Sequence, residues 1–375
     1  MTISNTRRIS MSLEQSEINS SPNLSEQSLT ILKHRYFMKN TSGEAVEDAD
    51  GMFRRVAKAL AKVDAQYGAL PVEVQLTESD FYQMLKNTYC LPNSPTLMNA
   101  GINGTMSACF VLPLEDSMEA IMASASDTAM VQKFGGGTGF ALSNLRPKGS
   151  KIKSTHGIAC GPIAVLKTLS QVSSMITQGG RRDGANMAVM NIRHPDILEF
   201  ISCKALEGDI HNFNISVGVD SDFMKAVEHN MNYDLINPHD GTIAGSLNAK
   251  DVFDEIVVGA WANGEPGMVF LDRINKDNVV QSKYGPMIAT NPCGEQPLLA
   301  NESCNLASIV LSKFFIAGRV SSSWRKQISW DKLESITKTS VHFLDNVIDG
   351  NEYATPAIKE MTQSTRKIGL GVMGF

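Results

Sequence analysis

Asn291-Pro-Cys-Gly-Glu-Gln-Pro297 carries an amide, a thiol and a carboxylate at alternate positions of a segment stiffened by Pro and Gly. In extended backbone, residues i, i+2 and i+4 share one face. Asn291, Cys293 and Glu295 are therefore expected side by side. An amide can hold polar substrate groups, a thiol can react through sulfur, and a carboxylate can move a proton. Free Cys is also commonly a small buried hydrophobe, and composition alone favours that plainer reading. Cys304, in Glu302-Ser-Cys-Asn-Leu306, follows Cys293 by 11 residues, so a chain reversal can bring the two together. Cys109 sits in Ser107-Ala-Cys-Phe-Val-Leu112. Spacing alone does not make these three thiols meet.

Two glycine-rich stretches are further candidates. Gly135-Gly-Gly-Thr-Gly139 either lets backbone approach a ligand or lets it cross a crowded barrel. It is not a Walker loop, since no Lys-Ser/Thr follows, and it lacks the dinucleotide fingerprint spacing. Gly179-Gly-Arg-Arg-Asp-Gly184 holds two guanidinium groups, which pair with phosphate or stack on a base. A solvated charged loop is its plainer reading. His156, His194 and His211 have no i, i+4 partners and there is no CxxC pair, so a protein-built metal site has little support.

The elements that must position these residues read as follows. Residues 1–28, rich in Ser, Asn and Glu, are expected to be a disordered tail. Residues 29–100 form a helical N-terminal domain; Met52, Val56, Leu60 and Val63 recur at helix spacing, with Asp48 or Asp50 as cap. A second helix is expected around Glu78–Lys86, and Leu91–Gly101 as a rigid, turn-rich segment. From Cys109 the texture is α/β. Strands are expected at Cys109–Leu112, Phe140–Ser143, Ala188–Ile192, Asn212–Gly218 and Gly267–Leu271. Helices are expected at Asp116–Phe134, Pro162–Gln178, Pro195–Cys203 and Asp251–Asn263. Alternating strands and helices suggest βα units around a sheet or barrel.

The chain has 375 residues, 34 Lys+Arg against 39 Asp+Glu, and 42% hydrophobic residues. That is enough for a sizeable core and for two or three domains. Mild acidity without a basic run argues against nucleic-acid binding through phosphates. No stretch approaches the roughly 20 apolar residues of a membrane helix. Arg7 and Arg8 are followed by polar residues rather than an apolar stretch, unlike a signal peptide. Six scattered cysteines are too few for a secreted disulfide framework, which points to a cytoplasmic protein. The apolar run Lys367–Phe375 ends without a cap, as a chain cut in mid-domain would.

Taken together, the segments from about Leu29 to Phe375 resemble the catalytic chain of ribonucleotide reductases, in particular the adenosylcobalamin (vitamin B12)-dependent class II. The resemblance rests on Pro92-Asn-Ser-Pro-Thr-Leu-Met-Asn-Ala-Gly101, Ser107-Ala-Cys-Phe-Val-Leu-Pro113 and Gly135-Gly-Gly-Thr-Gly-Phe140. It continues through His194-Pro-Asp-Ile-Leu-Glu-Phe200, Asn212-Phe-Asn-Ile-Ser-Val217, Gly264-Glu-Pro-Gly-Met-Val-Phe270, Asn291-Pro-Cys-Gly-Glu295 and Cys304-Asn-Leu306. Each piece is moderately specific; their joint order is what carries the resemblance.

The resemblance implies an α/β fold, the first half of a ten-stranded barrel built from two five-stranded halves, with residues 101–375 as its truncated first part and a finger loop inside it. It implies that Cys293 becomes a thiyl radical, that Glu295 takes the substrate 3′-hydroxyl proton and that Asn291 holds the substrate hydroxyls. Cys109 and Cys304 resemble the redox pair that ends as a disulfide. Ala108 stands where many members carry a second Ser, which moves a substrate-hydroxyl contact to backbone or to Ser94; Thr96 belongs to the same substrate-binding set. Asp116, Lys153, Arg181 and Arg182 fall in segments resembling the site for an allosteric deoxynucleoside triphosphate. Expected partners are a ribonucleotide, a thioredoxin-like reductant, a second copy in a homodimer and the C-terminal continuation, without which the chain is expected to be inactive. The alternatives are a class I large subunit, fed its radical by a separate metal-containing subunit, and a non-catalytic nucleotide-binding remnant.

Overall fold

The computed structural model describes residues 22–152, 156–178, 182–205, 210–316 and 323–375. Its first helix, α1 (Glu26–Arg35), begins inside the segment expected to be a tail. The Ser25 hydroxyl caps it by accepting the Ser28 N–H. Helix α2 (Ala49–Ala61) buries Met52, Phe53, Val56, Ala57 and Leu60 along one stripe, and the Asp48 carboxylate caps its first turn. Helix α3 (Pro71–Lys86) starts well before the expected Glu78. Pro71 fits its first turn, and the Glu73 carboxylate accepts the Leu70 N–H. The segment expected to be all turn, Leu91–Gly101, holds a short strand, β1 (Cys90–Pro92), and a helix, Ser94–Asn99. Pro95 is tolerated there because the first helical turn needs no donor from it.

The rest is an eight-stranded curled sheet. Strands β2 (Cys109–Val111), β3 (Gly137–Ala141), β4 (Asn186–Asn191), β5 (Phe213–Val219) and β6 (Gly267–Phe270) run parallel and side by side. Strand β7 (Glu302–Val310) runs antiparallel to β2 and β1. Strand β8 (Ile368–Met373) lies parallel to β7 and turns the final glycine-rich run into sheet. The first two connections of the parallel set run through helices α4 (Met118–Lys133) and α5 (Pro162–Met175), because parallel neighbours cannot be joined by a tight turn. Between β5 and β6 lie a hairpin, Asn232–Ile236 with Ile243–Asn248, and helix α6 (Ala249–Asn263).

Side chains alternate across the strands, and the two faces collect different clusters. Phe110, Phe140, Ala188, Met190, Ile215 and Val217 pack outward against Leu166, Leu169, Ile197 and Phe200 of the covering helices. Cys109, Val111, Ala141, Met187 and Val189 point inward and meet Ala289, Leu298 and Cys304. A third cluster joins α2 and α3 to Ala307 and Ile309 of β7 and to helix α7 (Trp330–Gly350), where Phe81 meets Phe343 edge-on at 5.1 Å. The helical segment thereby braces the strand that carries Cys304. Helix α8 (Pro356–Thr365) leads into β8.

Candidate active site

The concave face of the sheet is filled by a loop. Residues Ala289–Thr290 and Pro297–Leu298 form a two-rung antiparallel ladder, and residues 291–296 make the tip between them. The tip is a turn, not the extended segment that alternation suggested: the Gly294 N–H bonds back to the Asn291 carbonyl and Gly294 has φ +81°. Only Gly enters that backbone region cheaply. The turn brings two of the three residues, Asn291 and Glu295, to the Cys109 sulfur. Asn291 is buried; its Oδ1 accepts the Gln296 N–H at 2.9 Å, which frees Nδ2 to reach the Cys109 sulfur at 3.2 Å. The Glu295 carboxylate lies 3.9 Å from the same sulfur. Cys293 is exposed at the tip.

Cys109 and Cys304 are directly opposed partners on β2 and β7. Opposed residues of an antiparallel pair have Cα atoms roughly 4.5–5.5 Å apart, inside the range a disulfide spans. Both thiols are reduced and buried. Burial pushes the Cys109 thiol well above its ordinary range, and the charges of Glu295 and Cys304 push the same way; the Asn291 amide opposes them. Burial likewise pushes the Cys304 thiol up to about 12, against the pull of Lys367. At neutral pH both therefore keep their protons, as donors to a leaving group must.

The glycine-rich strand explains how the loop fits. A Cβ on Gly137 would lie 2.6 Å from the Pro292 ring, and one on Gly139 would collide with the Thr290 carbonyl. Strand β3 begins at Gly137 rather than at the expected Phe140, and its bare backbone is the bed of the loop. Asn214 on β5 completes the seat, its amide donating to the Pro292 carbonyl at 2.7 Å. Sequence reading missed Asn214, whose only signal is a polar residue on the inward side of a strand.

Two family profiles match in tandem: "Ribonucleotide reductase, all-alpha domain" over residues 22–105 and "Ribonucleotide reductase, barrel domain" over residues 107–375. The chain belongs to the ribonucleotide reductase family. It is 43% identical over 354 residues to a vitamin B12-dependent ribonucleoside-diphosphate reductase of Mycobacterium tuberculosis, covering 94% of this chain and 50% of that protein. A protein of the same description from Thermoplasma acidophilum is 40% identical, over 92% of this chain and 51% of that one. A ribonucleoside-diphosphate reductase subunit alpha of Chlamydia muridarum is 28% identical, covering 35% of its length. The chain spans about half the length of the first two reductases.

The remaining expected site residues are placed unevenly. The Ser94 hydroxyl meets the Tyr36 hydroxyl at 2.8 Å. Thr96 is fully buried, bonded to the Asn93 side chain and the Met106 carbonyl, so its hydroxyl serves the start of its own helix. Asp116, just before α4, is held by Arg146 at 2.7 Å. Arg182 lies in a two-residue strand paired with Thr177–Gln178. Lys153 and Arg181 lie outside the described residues.

Proposed function

We propose that this chain supplies the thiol half-site of a cobalamin-dependent reductase that converts ribonucleotides to 2′-deoxyribonucleotides. The observation that carries the proposal is the convergence on Cys109: Asn291 and Glu295 from the loop, Cys304 from the opposite strand. A sugar placed over the loop tip would meet Cys293 for removal of its 3′ hydrogen. Glu295 would take the 3′-hydroxyl proton, and Asn291 would hold the hydroxyls. Cys109 and Cys304, kept protonated by burial, would give up two protons and two electrons as the 2′-hydroxyl leaves as water and the pair closes to a disulfide. Holding all these groups on one ring is worth much of the rate by orientation alone. A non-catalytic remnant has no chemical reason to keep this set.

The names of the two relatives above support cobalamin as the radical source. Adenosylcobalamin supplies a carbon-centred radical by homolysis of its cobalt–carbon bond. A corrin brings its own nitrogen ligands to cobalt, so the chain need offer only an approachable sulfur, and exposed Cys293 is one. A dithiol protein such as thioredoxin would reopen the disulfide by exchange. We place an allosteric deoxynucleoside triphosphate near Asp116, Lys153, Arg181 and Arg182, at the interface of a homodimer.

The test is anaerobic ribonucleotide reduction with dithiol reductant, by this chain alone and together with the C-terminal half of a B12-dependent relative. Deoxynucleotide formed only with adenosylcobalamin supports the proposal. Turnover that ignores the cofactor but responds to a metal-containing partner subunit would place the chain in class I.

A further inference from the structure

Lys367 takes no part in the chemistry above, yet it stands beside it. Parallel pairing matches Asn305 of β7 with Ile368 of β8. One step back along both strands sets Lys367 next to Cys304. Its Nζ lies 2.6 Å from Glu302 Oε2 and 3.3 Å from the Pro297 carbonyl oxygen, with the Met287 sulfur at 4.0 Å. Met287 and Pro297 flank the two ends of the loop, and Glu302 shares the β7 face of Cys304 by the two-residue period. One ammonium thus ties the loop base to the strand that carries Cys304.

Glu302 makes that cation indispensable. Its side chain is fully buried. Oε2 also accepts the Leu299 N–H at 2.8 Å, while Oε1 has no hydrogen-bond partner among the described residues. A buried carboxylate this short of donors is costly unless a cation compensates it.

We propose that Lys367 is a positioning residue for the redox half of the reaction. Its ammonium holds the loop base on β7 and supplies the positive field in which Cys304 departs as a thiolate when the Cys109–Cys304 disulfide is reduced. The proposal rests on the functional reading of that cysteine pair. In the step, a thiolate of the dithiol reductant attacks the Cys109 sulfur and the S–S bond breaks. The electron pair goes to Cys304, which then takes a proton. The reductant's second thiol resolves the mixed disulfide, freeing Cys109 and leaving the reductant oxidised. Leaving thiols of lower pKa depart faster. Burial raises the Cys304 thiol and Lys367 opposes that rise, while Glu302 and Glu295 reinforce it.

The experiment measures how fast dithiothreitol reduces the preformed Cys109–Cys304 disulfide in the 375-residue chain, with acid quench and mass spectrometry of the alkylated thiols. It needs neither nucleotide nor cobalamin. Lys367→Arg keeps the charge and is expected within about twofold of the parent. Lys367→Gln keeps donors for Glu302 and Pro297 but not the charge. With Lys367→Met it is expected to be about three- to tenfold slower. Gln at the parent rate would overturn the proposal by reducing Lys367 to a hydrogen-bonded fastener, and all three at the parent rate would overturn it outright. Thermal melts accompany each variant; should Met fail to fold, the Arg–Gln comparison decides. If the Lys367 dependence holds while no ribonucleotide is reduced, the functional reading fails and the charge effect stands.

Discussion

Gly139 lies directly under Thr290: a Cβ added to it would sit 1.8 Å from the Thr290 carbonyl oxygen. The obstacle is backbone, so no rotamer change relieves it. The loop bearing Asn291, Cys293 and Glu295 is therefore seated by an absence of side chain on β3. Gly139→Ala must lift the loop or distort the strand. Overpacking of this kind costs about 1–3 kcal/mol where neighbours yield, and a backbone neighbour puts this variant at the upper end. The expected result is a lower melting temperature together with exposure of Cys109 as the loop lifts off it, read as faster alkylation of Cys109. Unchanged stability and Cys109 reactivity would mean that the loop has slack.

Cys293 is exposed and makes no part of any apolar cluster, so Cys293→Ser should leave the unfolding free energy within about 0.5 kcal/mol of the parent. In the complemented enzyme it should abolish turnover while leaving deoxynucleoside triphosphate binding intact. Calorimetry for the effector and product assay for the reaction separate the two. Equal loss of both would mean that the substitution damages the fold instead.

Much of this arrangement is legible from residue types, for reasons that differ by element. Helix α2 follows its Met52–Val56–Leu60 stripe because one face packs and the other is solvated. The parallel strands β4 and β5 read as apolar runs because both their faces are covered. Strand β3 was misplaced because glycine normally weakens a strand; here the missing side chains make room for the loop, a fact set by residues about 150 positions away. Asn291 and Glu295 meet at Cys109, through a turn with Gly294 at positive φ and not through alternation, while Cys293 stands exposed at the tip. Opposition of Cys109 and Cys304 depends on strand register, and the Lys367–Glu302 pair on β8 lying beside β7. Neither has a local signal.

Asn291 does two jobs with one amide. Its oxygen satisfies the Gln296 N–H and its nitrogen reaches Cys109. Asn291→Ala removes both, leaving a donor unpaired beside a buried site. The cost expected is about 1–3 kcal/mol of stability, measured by denaturant unfolding. Cys109 also loses the one contact that favours its thiolate, so its ionisation should move further up, detectable as a shift of the thiolate absorbance to higher pH. A shift downward would show that Asn291 does not face the sulfur in solution.

A final prediction concerns acid stability, set where the helical segment meets the barrel. Asp349 near the end of α7 accepts from Arg366 at 2.7 Å and from the Tyr67 hydroxyl at 2.5 Å, joining three distant parts of the chain. Arg366 is the first cause holding the Asp349 carboxyl below its ordinary value of 3.8, burial opposing it and Tyr67 assisting. The folded value is thus lower than the unfolded one. Its stabilisation is complete above the unfolded value and drains away as pH falls through the folded one, because protonation there favours the unfolded chain. Asp349→Asn should lower the melting temperature at pH 7 and flatten its fall between about pH 5 and pH 3. Parallel melting curves for parent and variant across that window would show that the Arg366 pair carries no linkage, and that acid sensitivity resides in other carboxylates.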